Sequence, residues 1–225
     1  MPLDVYKKFS VNDEDTYFLY KKNIIEDNEY LTEIDNWINS LGFRDGWCIS
    51  GKRIPRQQLW FHQQEKYFCE EWKVRYERWV SAKYDDFLYG FQGLIDTTTK
   101  DILSTNDINI EIPKINSCLI NKYRDENDSI RPHRDTSKTF GLYPTILIYS
   151  HGQSRRMKIQ KAIWDTSNFA SLRLDKENPI DFEIELEANS LFIMAGASQK
   201  YFVHEIPKED KPRDIRYSIT FRECI

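Results

Sequence analysis

Residues 182–194 read Phe182-Glu183-Ile184-Glu185-Leu186-Glu187-Ala188-Asn189-Ser190-Leu191-Phe192-Ile193-Met194. The first five alternate apolar and acidic side chains, the two-residue period of a half-buried strand. The last four are an apolar, β-prone run. Working outward, the same texture recurs at 108–112, 117–123, 145–150, 156–160 and 216–222, with clear alternation again in Tyr217–Phe221. Short strands separated by polar loops at 124–132 and 205–215 predict a β-sandwich or small barrel. Before residue 105 the period changes. Leu31, Ile34, Ile38 and Leu41 recur at helical spacing over 27–42, with Asp27 to cap the start and Gly42 to end it. A second helix is predicted over 86–96, with Asp85 near its start and Phe87, Phe91, Leu94 and Ile95 on one face. The expected fold class is α+β. One domain spans 1–225, helical and loop-rich over about 1–105 and a β core over about 106–225.

Hydrophobic residues make up 40% and aromatics 14% of the 225 residues, far too much apolar surface for a disordered chain. No run approaches the roughly 18 apolar residues of a membrane-spanning helix. The start, MPLDVYKKFSVNDED, lacks the basic-then-apolar order of a secretory signal. Cys48, Cys69, Cys118 and Cys224 are scattered, with no Cys-x-x-Cys pair, which suits neither a zinc cage nor a disulfide frame. An intracellular protein of cytoplasm or nucleus is expected, with no membrane role. The net charge of −4 is unevenly spread. Residues 1–50 hold ten acids against five bases, whereas 51–80 hold seven bases against four acids. Trp60, Phe61, Tyr67, Phe68, Trp72, Tyr76 and Trp79 are interleaved with those bases. Bases for phosphates and rings for stacking are the ingredients of a nucleic-acid surface. They equally suit a structural element with rings in the core and charges in water.

Four histidines are present: His62, His133, His151 and His204. His133-Arg134-Asp135 has the spacing that puts two ligands on one side of a strand. With so many acids in the chain the pair alone carries little, and a surface histidine beside a solvated aspartate is the plain alternative. A third ligand from a later strand would complete two nitrogens and one carboxylate, the facial triad that leaves positions open on iron(II). His204 is the natural candidate. His151, beside Gly152, reads as a turn residue.

Three segments decide between these readings. CLINKYRDENDSIRPHRD (118–135), LFIMAGASQKYFVHEIPK (191–208) and RYSITFR (216–222) stand in the order, and carry the residues, of the AlkB-type dioxygenases. The chain resembles that family over about residues 17–224, and its nucleic-acid demethylase branch through Pro55-Arg56-Gln57-Gln58-Leu59-Trp60-Phe61. The resemblance implies a double-stranded β-helix, a distorted jelly roll buttressed by the N-terminal helices. It implies Fe(II) held by His133, Asp135 and His204, with 2-oxoglutarate and O2 as co-substrates. Arg216, helped by Tyr123, would take the distal carboxylate of 2-oxoglutarate. Arg222 and Asn121 would contact the carboxylate that chelates iron. Guanidinium forks suit carboxylates. Strand alternation puts Arg216, Ser218, Thr220 and Arg222 on one face, so Thr220 joins the cofactor-binding set.

The implied function is oxidative dealkylation of N-alkylated bases in DNA or RNA, by a monomer, releasing formaldehyde, succinate and CO2. Arg56, Trp60, Phe61, Leu119, Thr136 and Arg155 would contact the substrate. A hydroxylase of a protein or small molecule, and a non-catalytic nucleic-acid binding module, are the alternatives on the same scaffold. One departure bears on the substrate. In the DNA-repair members the metal-binding aspartate is followed closely by another acid, which suits cationic methylated bases. Here Thr136-Ser137-Lys138 follows Asp135. Either Glu65 or Glu70 supplies the missing charge from the substrate loop, or the pocket favours a neutral base.

Overall fold

The computed structural model describes residues 1–46, 52–68, 80–164 and 172–225. The chain opens with a hairpin, β1 (Val5–Val11) and β2 (Glu14–Lys22), and runs into helix α1 (Asn28–Ser40). Strands β3 (Gln57–His62) and β4 (Ala82–Lys83) precede helix α2 (Asp86–Thr105). Then come β5 (Ser117–Tyr123), β6 (Ile130–His133), the single turn α3 (Ser137–Phe140), β7 (Ile146–Gly152) and β8 (Arg155–Trp164). β9 (Leu172–Leu174), β10 (Asp181–Leu186), β11 (Ser190–Gly196), the turn α4 (Ser198–Tyr201), β12 (Phe202–Ile206) and β13 (Arg216–Arg222) complete the described elements.

Eight strands form one sheet in the order β1-β2-β11-β7-β13-β5-β3-β4. The order β10-β8-β12-β6, with β9 on β8, makes the second sheet. Strand alternation gives the large sheet two apolar faces with different partners. On one face Leu19, Ile120, Leu147, Ile193, Ile219 and Phe221 pack with Ile34, Ile38, Phe91, Ile95 and Ile102 of the two helices. On the other, Phe18, Tyr20, Ile146, Ile148, Phe192 and Met194 meet Met157, Ile159, Ile184, Leu186, Phe202 and Ile206 of the small sheet. Two facing sheets with helices behind one of them make the sandwich that the strand pattern predicts and the jelly-roll core with helical buttress that the family resemblance implies.

Local signals explain most elements. Asp27 caps α1, its Oδ1 accepting from the amides of Glu29 at 2.8 Å and Tyr30 at 3.3 Å. Asp85 caps α2 by accepting from the Leu88 amide at 2.7 Å, and its other oxygen accepts from Trp37 Nε1 at 2.8 Å, which ties the two helices together. α2 outruns the predicted 86–96. Thr97 and Thr99 satisfy their hydroxyls on the carbonyls of Gly93 and Ile95, and the helix runs on through this β-branched stretch to Ile102 and Leu103, whose burial continues the apolar stripe.

The first half is less helical than predicted. β1 and β2 pair in full register from Val5↔Tyr20 to Val11↔Glu14, and β2 goes on to pair with β11. The stretch 57–62 is likewise a strand and not a loop, paired with β5 from Gln57↔Lys122 to His62↔Ser117. Residues 108–112, predicted as a strand, join no sheet. Ile108, Ile110 and Ile112 pack against the helix-side core, which satisfies their alternation without a ladder. His151 lies within β7, next to its last residue Gly152, instead of in a turn, and its Nε2 stands 2.6 Å from Asp35 Oδ1. Trp72, Tyr76 and Trp79 of the basic, aromatic stretch, with Glu70, Cys48 and Cys69, lie outside the described residues. Cys118 and Cys224 are buried free thiols.

Candidate metal centre and cofactor pocket

β6 and β12 are antiparallel neighbours, and His133 and His204 are register partners across them. Their ring centroids are 4.3 Å apart. Asp135, two residues beyond His133, returns to the same side. One ligand atom from each of the three residues falls within 4.8 Å of the others, a group able to hold one metal ion. His133 Nδ1 lies 2.9 Å from the Arg131 carbonyl. A carbonyl only accepts, so Nδ1 carries the proton and the Nε2 lone pair is left for a metal. Desolvation lowers the His133 pKa. His204 falls well below the ordinary value through burial, with His133 and Arg222 adding to the shift. Both rings are therefore neutral near pH 7, as ligation requires. The turn α4 braces this edge. Gln199 Oε1 accepts from the Asp135 amide at 3.0 Å, and Arg134 Nη1 donates to the carbonyls of Gln199 and Lys200 at 3.1 and 2.8 Å.

Beside the triad, β13 presents Arg216, Ser218, Thr220 and Arg222 on one face while Tyr217, Ile219 and Phe221 point into the helix-side core. β5 matches it in register, with Tyr123 opposite Arg216, Asn121 opposite Ser218 and Leu119 opposite Thr220. Arg216 is fully buried, and burial draws its pKa down to about 10. Its Nη2 donates to Ser150 Oγ at 3.0 Å, yet Nε and Nη1 have no hydrogen-bond partner among the described residues, and its guanidinium lies 5.3 Å from the Tyr123 ring centre. Arg222 Nε stands 2.6 Å from Asp135 Oδ2 as an ion pair without hydrogen-bond alignment, and its buried Nη1 has no hydrogen-bond partner among the described residues. Buried cations with orphaned N–H groups are costly unless an anion meets them. A dicarboxylate that also reaches the metal fits this arrangement. Asn121, 7% exposed, accepts at Oδ1 from Arg56 Nε and Gln58 Nε2, each at 2.9 Å.

The residues expected at the substrate divide. Trp60 and Leu119 share a small apolar cluster with Phe68, Phe140 and Cys224, and Phe140 lies 4.8 Å beneath the Arg222 guanidinium. Thr136 precedes α3, and its hydroxyl makes no capping bond. Phe61 is a correction. On a strand it must face away from Trp60, and it packs against Trp37 and Tyr84 on the helix side. Arg155 is another. Its enclosed side chain donates to the carbonyls of Asp125, Asp128 and Pro207 at 3.0, 2.8 and 2.7 Å, pinning two loops instead of lining a base pocket. Gln58, Ser150, Phe140 and Gln199 were not anticipated. Reading 57–62 as a strand would have exposed Gln58, and Ser150 and Gln199 lie inside segments already singled out.

A sequence profile described as the 2OG-Fe(II) oxygenase superfamily matches residues 17–222. The alpha-ketoglutarate-dependent dioxygenase alkB homolog 3 of Rattus norvegicus is 35% identical over 107 residues, which is 48% of this chain and 35% of that protein. Its Homo sapiens counterpart is 34% identical over 107 residues, with 48% and 36% covered. The DNA oxidative demethylase ALKBH2 of Arabidopsis thaliana is 30% identical over 118 residues, 48% of this chain and 38% of the relative. The matches thus span little more than a third of each relative's length. The structure of OsALKBH1 superposes with a TM-score of 0.59 at 12% identity, covering 92% of this chain and 96% of that one. A Trichoplax adhaerens prolyl hydroxylase bound to a hypoxia inducible factor peptide gives 0.51 at 15% identity, with 91% and 82% covered, and shares the fold. A profile match over all but the chain's two ends settles its kinship: this chain belongs to the 2OG-Fe(II) oxygenase superfamily.

Proposed function

We propose that the protein oxidatively removes alkyl groups, methyl above all, from ring or exocyclic nitrogens of bases in DNA or RNA. The observation that carries this reading is the coupling of one metal-holding triad to two buried, under-paired arginines on a neighbouring strand, with an apolar, aromatic cluster alongside. His133, Asp135 and His204 would hold Fe(II). Arg216 would receive the distal carboxylate of 2-oxoglutarate, packed on Tyr123. Arg222, Asn121 and Thr220 would line the part nearer the metal. Bound together, iron and 2-oxoglutarate would supply the oxidation: one atom of O2 goes into succinate as the keto acid loses CO2, and the other leaves with the N-linked methyl carbon as formaldehyde.

The chain's own residues supply orientation and dryness. Trp60, Leu119, Phe68 and Phe140 form a buried apolar wall beside Arg222 that would exclude water, with the three aromatic rings the surface against which a base would pack. A duplex hides the base edge, so the target is flipped out or already single-stranded. Support for a nucleic-acid substrate comes from the names of the relatives and from the basic stretch around β3. The monomeric state and a place in the cytoplasm or nucleus belong to the same proposal. The test is a panel of methylated DNA and RNA oligonucleotides incubated with Fe(II), 2-oxoglutarate and O2, then weighed by mass spectrometry. Loss of the methyl group from at least one supports the reading. Succinate formed only with a peptide or small molecule would transfer the protein to the hydroxylase alternative.

A further inference from the structure

An asparagine beside a bound carboxylate helps only one way round. Its Nδ2 hydrogens attract the anion, and its Oδ1 repels it. The two orientations have nearly the same shape, so neighbours must choose between them. Here the choice is made by β3. Arg56 Nε and Gln58 Nε2 both donate to Asn121 Oδ1 at 2.9 Å. A guanidinium has no acceptor, so the Asn121 atom that faces Arg56 is the oxygen. Arg56 is fixed in turn by Nη1, which donates to the Ser129 carbonyl at 3.2 Å. Gln58 is the register partner of Asn121 across β3 and β5, both are 7% exposed, and the bond between them is buried while that from Arg56 is partly buried.

We propose that Arg56 and Gln58 are positioning residues for the cofactor: they lock the Asn121 amide with its oxygen toward β3 and its N–H groups toward the carboxylate nearer the metal. The inference rests on the cofactor reading above. It moves Arg56 from the substrate set, where the sequence puts it, to the cofactor frame. Trp60 stands two residues beyond Gln58 on the same strand face, so one strand shapes both the base-side cluster and the cofactor amide.

The test is calorimetric titration of 2-oxoglutarate into the anaerobic, Fe(II)-loaded full chain, with Fe(II) affinity measured alongside. Gln58→Met removes one donor without adding charge and should weaken 2-oxoglutarate binding about three- to tenfold, the worth of one hydrogen bond. Fe(II) affinity should not change. In an Asn121→Ala background the same substitution should have no further effect, because no amide remains to be oriented. Arg56→Met is the second variant and should show the same dependence on Asn121. Unchanged affinity in both variants, or equal losses with and without Asn121, would overturn the proposal while leaving the cofactor reading intact. A wild-type protein that binds Fe(II) but not 2-oxoglutarate would overturn both.

Discussion

Arg216 is the residue whose environment asks most for a ligand. It is fully buried, its guanidinium lies over the Tyr123 ring, and two of its nitrogens have no hydrogen-bond partner among the described residues. Arg216→Ala should therefore weaken 2-oxoglutarate binding by about 2–4 kcal/mol, the cost of leaving a buried anion without its cation. Titration showing unchanged affinity would mean that another base takes the distal carboxylate. Thr136 poses the substrate question. A hydroxyl can bond a neutral or a cationic base but adds no charge, so discrimination in favour of 1-methyladenine over N6-methyladenine should be weak. Thr136→Asp should raise kcat/KM for the cationic base relative to the neutral one on matched strands. A strong cationic preference in the wild type that the added carboxylate leaves unmoved would contradict this. Spacing made His133 and Asp135 readable as a pair, because residues two apart on a strand share a side. Phe61 and Arg155 were misread because a motif gives position along the chain and not the face on which the side chain emerges.

The strands that carry the pocket depend on close backbone approach. Gly152 ends β7 with φ of +81°, and a Cβ built there would stand 2.4 Å from the Ile215 carbonyl oxygen. Its register partner on β13 is Arg216. Gly152→Ala should lower stability by about 1–3 kcal/mol and loosen the strand pair beside the cofactor arginine, visible as a drop in Tm together with weaker 2-oxoglutarate binding. An unchanged Tm would show that the strands can separate there without cost. The strands most regular in alternation, such as β10 and β13, were readable at once. The N-terminal hairpin was not, because Lys7-Lys8 and Asp13-Glu14-Asp15 conceal the alternating Val5, Phe9 and Val11, and those residues find their burial only against the other sheet. Gln57-Gln58 conceals β3 in the same way, since Gln58 is a polar residue with a buried polar partner.

Across the whole molecule, the buried histidines set the response to acid. Desolvation is the largest cause lowering His62, His133 and His204. A folded-state pKa below the unfolded value means that the unfolded chain binds more protons as pH falls. The stability these residues contribute is thus complete above the ordinary histidine value of about 6.5 and is lost as pH drops below it. Glu14 extends the trend. Lys200, Tyr143 and Tyr201 hold its carboxyl down at about 2, so its share persists above the usual glutamate range and disappears as pH falls toward 2. The Tm of the metal-free protein should fall from pH 7 to 5, and His62→Gln should make that slope shallower. A slope that His62→Gln leaves unchanged would assign the effect to other groups. Strand count made a β-sandwich or small barrel readable and the family resemblance supplied the jelly roll, whereas the sheet order, with β2 inserted beside β11, depends on contacts between residues 168 to 180 positions apart and no local pattern announces it. The central claim is that one site couples Fe(II), 2-oxoglutarate and an alkylated base, and formaldehyde release from a methylated oligonucleotide tests it most directly. The wild-type protein should release formaldehyde and succinate in equal amounts, only with 2-oxoglutarate present, and His204→Ala should release neither. Formaldehyde release that persists in His204→Ala, or succinate that forms with no loss of methyl from any oligonucleotide, would contradict it.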